Sequence, residues 1–170
     1  HLACFWPGLR ALEALADPRV ASSVLPLAEK LLDACVAAYD ATPTNLAPEA
    51  WHVNDDGSVK LGANLRHLLR PETIESVFWM YRATRKQKWL DAAARLWAAF
   101  RRHAPVAGGG LATLANVRKQ TPPRVDKMDS WVFSETLKYF YLIFDDADGG
   151  DLLPLSEWVL TTEAHPVPRF

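Results

Sequence analysis

Apolar residues recur at helical spacing through most of the chain, and the clearest stripe runs from about Arg19 to Ala41. There Val24, Leu27, Leu31, Leu32, Cys35 and Tyr39 follow one another mainly at steps of three and four, the pattern of one buried helical face. Pro26 either kinks that helix or marks its true start, and Thr42-Pro43 ends it. Before it, a turn at His1–Gly8 leads into an alanine- and leucine-rich run stopped by Asp17-Pro18. Helix restarts at Arg70-Pro71, with Pro71 as first helical residue and Ile74, Val77, Phe78 and Tyr81 inward. A further helix, about Gln87 to His103, turns Leu90, Ala94, Trp97 and Phe100 inward. The last helix, with Asp126 as cap and Asp129 completing a loose capping box, runs to about Phe144.

The helical period breaks between Thr44 and Leu69. Asn54-Asp55-Asp56-Gly57-Ser58 reads there as a turn between extended arms at Glu49–Val53 and Val59–Leu61. Gly108-Gly109-Gly110 is a linker; without a preceding strand or a Lys-Ser/Thr pair it is no phosphate loop. An extended arm through Val117 and a turn at Thr121-Pro122-Pro123 follow. Asp145 to Asp151 forms an acidic turn that lacks the spacing and closing glutamate of a calcium-binding EF-hand, and it reads as a solvated connector. Near the end, Val159-Leu160-Thr161-Thr162 leans toward strand. Helices joined by alternately short and long connections predict an all-α fold of stacked αα-hairpins.

Composition adds limits to this picture. With 170 residues, 49% hydrophobic and 23% charged, the chain fits one globular domain. A net charge of −1 provides no basic field for nucleic acid and no polybasic patch for a membrane surface. No apolar run approaches the roughly 18 to 20 residues of a membrane span, and residues 1–20 lack the apolar core of a signal peptide. A chain that opens at His1 reads as a segment of a longer protein. Two cysteines allow one bridge and no metal-ligand spacing. The seven tryptophans read as helix-packing residues before sugar platforms.

Candidate chemistry gathers in three places. Glu72 and Glu75 share a face in the first turn of a helix, where the dipole favours anions. Trp131 and Glu135 share another face. Thr161, Thr162, Glu163 and His165 combine hydroxyl, carboxylate and imidazole in a short run that is either a cation site or a polar tail. His52, His67 and His103 read as loop or surface histidines and His165 as structural.

Four motifs carry a more specific message: Leu69-Arg70-Pro71-Glu72-Thr73-Ile74-Glu75-Ser76, Asp126-Lys127-Met128-Asp129-Ser130, Glu135-Thr136-Leu137-Lys138-Tyr139 and Thr162-Glu163-Ala164-His165-Pro166. Together with the opening His1-Leu2-Ala3-Cys4-Phe5 they resemble glycoside hydrolase family 47, the calcium-dependent α-1,2-mannosidases that trim N-glycans and their relatives in glycoprotein quality control. The resemblance spans residues 1–170 and implies the carboxyl-terminal third to half of a single catalytic domain, an αα toroid or (αα)7 barrel with a short β-hairpin and a terminal strand plugging it.

The same resemblance implies a set of roles. Thr162 would be the direct Ca2+ ligand, with Glu72, Glu75, Glu135 and Glu163 holding the ion's waters. Glu72 would be the general base of an inverting reaction, whose base and acid stand about 6.5 to 9.5 Å apart. The general acid would lie upstream of His1, leaving the segment inactive alone and its remaining partner the rest of the catalytic domain. Arg70, Trp131, Glu135, Glu163 and His1 would contact high-mannose N-glycan, with Trp131 standing where phenylalanine is usual. Cys4 and Cys35 match a family disulfide, which implies an oxidising compartment, the lumen of the endoplasmic reticulum or Golgi, or secretion. Thr161 is similar to the quality-control branch and Ala164-His165-Pro166 to the trimming branch. A mannose-binding quality-control factor with weak or no hydrolysis is therefore the alternative.

Overall fold

The computed structural model describes residues 1–170 and builds them mainly from five α-helices: α1 (Phe5–Ala16), α2 (Ala21–Asp40), α3 (Glu72–Thr84), α4 (Gln87–His103) and α5 (Lys138–Ala147). Three two-stranded antiparallel sheets interrupt them, β1 (Trp51–Val53) with β2 (Val59–Leu61), β3 (Thr113–Leu114) with β4 (Arg124–Val125), and β5 (Trp158–Leu160) with β6 (Pro166–Pro168). The first sheet lies on the two arms expected around the Asn54–Ser58 turn. The last is a correction. The strand-leaning end is a hairpin, with Thr162 and Glu163 in its turn, in place of a single terminal strand.

The helices pair as hairpins. Asp17 caps the short 3-10 turn Pro18–Val20 by accepting from the Arg19 N–H at 3.1 Å, which separates α1 from α2. Arg85, at φ 54°, closes α3 and lets α4 begin two residues later. Helix α1 packs on both α2 and α3, and α3 also packs on α4 and α5. The close approach of α1 to α3 needs Gly8, because a Cβ there would stand 2.7 Å from Ser76 Oγ. That hydroxyl accepts from the Gly8 N–H at 2.8 Å and donates to the Cys4 carbonyl. A single cluster of 31 buried residues takes members from every helix and includes Ala164 of the terminal hairpin turn, so the turn is docked on the helical core.

Several inward faces differ from those the spacing suggested. On α2 the buried residues are Val24, Ala28, Leu32, Cys35, Val36, Ala38 and Tyr39, while Leu27 and Leu31 are exposed. On α4 the face is Trp89, Ala92, Ala93, Leu96, Ala99 and Phe100, and Ala94 is exposed. Both helices carry apolar residues on more than one side, and only their packing partners select the buried one. Pro26 sits inside α2 without ending it, and Pro71 precedes the first residue of α3.

The last helical segment opens on a wider π-helical turn, Val132–Leu137, with no side-chain cap from Asp126 or Asp129. Main-chain bonds from Val132 N to Asp129 O and from Phe133 N to Ser130 O start it instead. The acidic stretch after it is no solvated connector, because Asp145 and Asp146 belong to α5 and Asp146 is buried. Arg85 Nη1 meets Asp146 Oδ1 at 2.9 Å and Arg82 Nε lies 3.5 Å from Oδ2, so the carboxylate ties α3 to α5.

Candidate functional site

The site is built around the bend that leads into α3. Leu69 is fully buried at φ 58°, a left-handed conformation that leucine rarely adopts. Two side chains from the α5 segment hold the bend. Thr136 Oγ1 donates to the Leu69 carbonyl at 2.7 Å, and Trp131 Nε1 donates to the Leu68 carbonyl at 3.2 Å. The bend delivers Arg70 and Glu72 together. Arg70 Nε donates to both carboxylate oxygens of Glu49, at 2.8 and 3.0 Å, while its Cζ stands 5.2 Å from the centre of the Trp131 ring. One of its terminal nitrogens is 3.9 Å from Glu72 Oε1.

Glu72 opens α3, where the unpaired N–H groups favour a carboxylate. Its other oxygen, Oε2, is 2.8 Å from Nδ1 of His1, whose ring is 1% exposed. Burial raises the Glu72 pKa, with the Arg70 charge acting against that rise. One turn on, Glu75 accepts from the Tyr139 hydroxyl at 3.2 Å and is pushed up to about 7, mainly by burial. Glu135, carried by the π-helical turn, also lies at about 7; burial contributes most, followed by repulsion from Glu75, Glu72 and Glu163. Four carboxylates from three segments therefore share one field.

The hairpin turn closes the site from the other end of the chain. Ala164, fully buried at φ 55°, donates its N–H to the Thr161 carbonyl at 2.8 Å, and its own carbonyl accepts from Lys138 Nζ at 2.6 Å. Thr161 Oγ1 accepts from the His165 N–H at 3.1 Å, which makes His165 part of the turn through its main chain. Glu163 and Thr162 are exposed beside it, and His165 Nε2 lies 3.6 Å from Glu163.

Of the sequence-expected residues, Glu72, Glu75, Glu135 and Glu163 are coupled electrostatically, Arg70 and Trp131 are in contact, His1 is on Glu72, and Thr162 is exposed next to Glu163 in the hairpin turn with no contact to the others. Cys4 and Cys35 are disulfide-bonded, with their Cα atoms 6.1 Å apart. Four participants were given no role in the site by the sequence. Glu49 anchors Arg70, Thr136 holds Leu69, and Tyr39 bonds His1 Nε2 at 2.8 Å. His67, expected on a loop or the surface, is 2% exposed. Burial pushes its pKa down to about 4, and its Nδ1 donates to the Ala47 carbonyl at 2.8 Å.

The donor chemistry fits a hard, hydrated cation. No three of the acidic or imidazole groups converge closely enough to chelate an ion directly, so the carboxylates can hold an ion's waters but not grip it themselves. The nearby cations offset the cluster only in part: Arg70 is paired with Glu49, and the charges of Arg70 and Lys138 act against the raised pKa values of Glu72 and Glu135 without cancelling them.

Comparison with known proteins places the whole chain beside one enzyme family. The family described as glycosyl hydrolase family 47 matches residues 1–169. The mannosyl-oligosaccharide 1,2-alpha-mannosidase MNS3 of Arabidopsis thaliana is 36% identical, over 99% of this chain and 31% of that protein. The endoplasmic reticulum mannosyl-oligosaccharide 1,2-alpha-mannosidase of Homo sapiens is 39% identical over 99% of this chain and 24% of that protein. The structure of an alpha-1,2-mannosidase from Trichoderma reesei aligns with a TM-score of 0.83 at 27% identity, covering 99% of this chain and 38% of that one. The chain thus spans about a quarter to a third of the length of the curated relatives it matches.

Proposed function

The chain belongs to glycosyl hydrolase family 47, and from that membership we propose that it is the carboxyl-terminal part of an inverting, calcium-dependent α-1,2-mannosidase acting on high-mannose N-glycans. The observation that carries the reading is the placement of Glu72, a buried carboxylate with a raised pKa at a helix start, braced by His1 and faced by three further glutamates. Such a group is a stronger base than an exposed carboxylate. In this reading Glu72 takes the proton of the attacking water through Oε1, the oxygen left beside Arg70, because Oε2 is engaged by His1.

Arg70 orients sugar hydroxyls from its anchor on Glu49, and Trp131 offers an aromatic face beside it. Glu135 and Glu163 contact the terminal mannose and, with Glu75 and Glu72, hold waters in place. Calcium, held by Thr162 and those waters, supplies a fixed positive centre that orients the sugar and favours the ionised base. The general acid belongs to the part of the catalytic domain that precedes His1, in an (αα)7 barrel of which these hairpins form the closing portion. The disulfide fits an oxidising compartment, and we place the protein in the lumen of the secretory pathway. No helix here is long and apolar enough to cross a membrane.

The test uses the full-length protein on a high-mannose glycan. Mannose release that disappears with EDTA and with Glu72→Gln is the expected result. Glycan binding without release, unaffected by Glu72→Gln, would replace the hydrolase with a mannose-binding quality-control factor.

A further inference from the structure

Glu72 has a support on the side away from the sugar-facing residues. His1 Nδ1 meets Glu72 Oε2 at 2.8 Å, and the opposite ring nitrogen, Nε2, meets the Tyr39 hydroxyl at the same distance. Neither group has water to turn to, since the His1 ring is 1% exposed and Tyr39 is 4% exposed. The neighbouring buried hydroxyl, Thr73 Oγ1, has no other partner and lies beside the phenol, where donating to the phenol oxygen draws the Tyr39 pKa down, so the phenol's own proton is left for His1 Nε2.

A buried O–H without an acceptor is costly, so the Tyr39 proton belongs on the line to Nε2. Burial holds the phenol far above its usual titration range, which makes it a permanent donor. Nε2 then carries the lone pair and Nδ1 carries the proton that faces Glu72.

The surrounding structure keeps this line in register. Tyr39 lies one helical turn after Cys35 on α2, and His1 lies three residues before Cys4, so the disulfide joins the two segments that carry the ring and the phenol. Trp51 and His67 meet the His1 ring edge-on at 5.7 and 6.3 Å.

We propose that Tyr39 is a positioning residue for Glu72: its O–H fixes His1 as the Nδ1–H tautomer, and that N–H holds Glu72 Oε2 so that Oε1 is the oxygen presented to water. The proposal rests on the reading of Glu72 as general base, and it adds a residue that touches neither sugar nor ion.

The experiment labels histidine with nitrogen-15 in the calcium-loaded, full-length protein and reads the ring nitrogens by NMR, the His1 signals being assigned by their loss in His1→Gln. The expected result is a protonated Nδ1 and an unprotonated Nε2 in the parent, and averaging toward a tautomer mixture in Tyr39→Phe. Tyr39→Phe, assayed at saturating calcium, should also lower kcat by about tenfold with KM unchanged. A parent ring protonated on Nε2, or on both nitrogens, overturns the proposal, and that measurement does not depend on the variant folding. Parental kcat in a folded Tyr39→Phe protein overturns it as well. A parent that releases no mannose yet shows the Nδ1–H ring refutes the mannosidase reading and leaves the Tyr39–His1–Glu72 line standing.

Discussion

Glu135→Gln should stabilise the metal-free protein at neutral pH while weakening its hold on calcium. Glu135 is 8% exposed, and burial, together with the charges of Glu75, Glu72 and Glu163, pushes its carboxyl from 4.5 to about 7. That displacement corresponds to about 3 kcal/mol of preference for the protonated form, an upper value because Glu75 lies at about 7 as well and the two groups titrate together. The folded state therefore holds more protons than the unfolded state between pH 4.5 and 7. Stability from this source is complete below the unfolded pKa and is lost as pH rises through the folded one. Glutamine carries no charge at any pH. The variant should match the parent near pH 4.5 and exceed it by up to about 3 kcal/mol above pH 7 in EDTA. Saturating calcium should reverse the order, because an ion bound only by the folded state stabilises whichever protein holds it more tightly. The assay is denaturant unfolding of full-length parent and variant from pH 4.5 to 8, with EDTA and with calcium. A parent curve that is flat with pH in EDTA, or a difference between the proteins that is the same at both ends of the range, would refute the reasoning.

Three further outcomes follow from other contacts. Reducing the Cys4–Cys35 bridge, which closes a separation of 31 residues, should lower stability by about 3 to 4 kcal/mol, read as a drop in melting temperature with a thiol reductant. Thr136→Val removes the 2.7 Å bond to the buried Leu69 carbonyl and should cost about 1 to 3 kcal/mol in denaturant unfolding, with a loss of mannose release as the Arg70–Glu72 bend loosens. Thr162→Ala should abolish calcium binding by calorimetry while far-UV circular dichroism stays that of the parent, since the Thr162 side chain is exposed and takes no part in the core.

Much of the helical frame was legible because its causes are local. Asp17-Pro18 stops the first helix, Thr42-Pro43 follows the second, and the Asn54–Ser58 turn separates two short strands, all within a few residues of the places the sequence indicated. The inward faces of α2 and α4 were less legible. Leu27 and Leu31 are as apolar as Leu32, and only the presence of α1 and α3 on one side decides which leucine is covered. Asp146 shows the same limit, because an acidic run looks solvated until Arg82 and Arg85 of another helix are found against it.

The sequence by itself proposed the candidate site, through motifs at Arg70–Glu75, Trp131–Glu135 and Thr162–Glu163 that supply its carboxylates, and it named Cys4 and Cys35, which the structure bridges. Tertiary structure decided how those residues are held. Leucine and alanine carry no preference for the left-handed backbone found at Leu69 and Ala164, so the bend that leads into Glu72 and the one that follows Thr162 leave no local trace. They persist because partners distant in the chain, Thr136 at Leu69 and Lys138 at Ala164, bond the carbonyls there. The raised pKa values of Glu72, Glu75 and Glu135 are tertiary in origin as well: burial raises all three, and repulsion from neighbouring carboxylates adds to it at Glu75 and Glu135, only when separate segments meet.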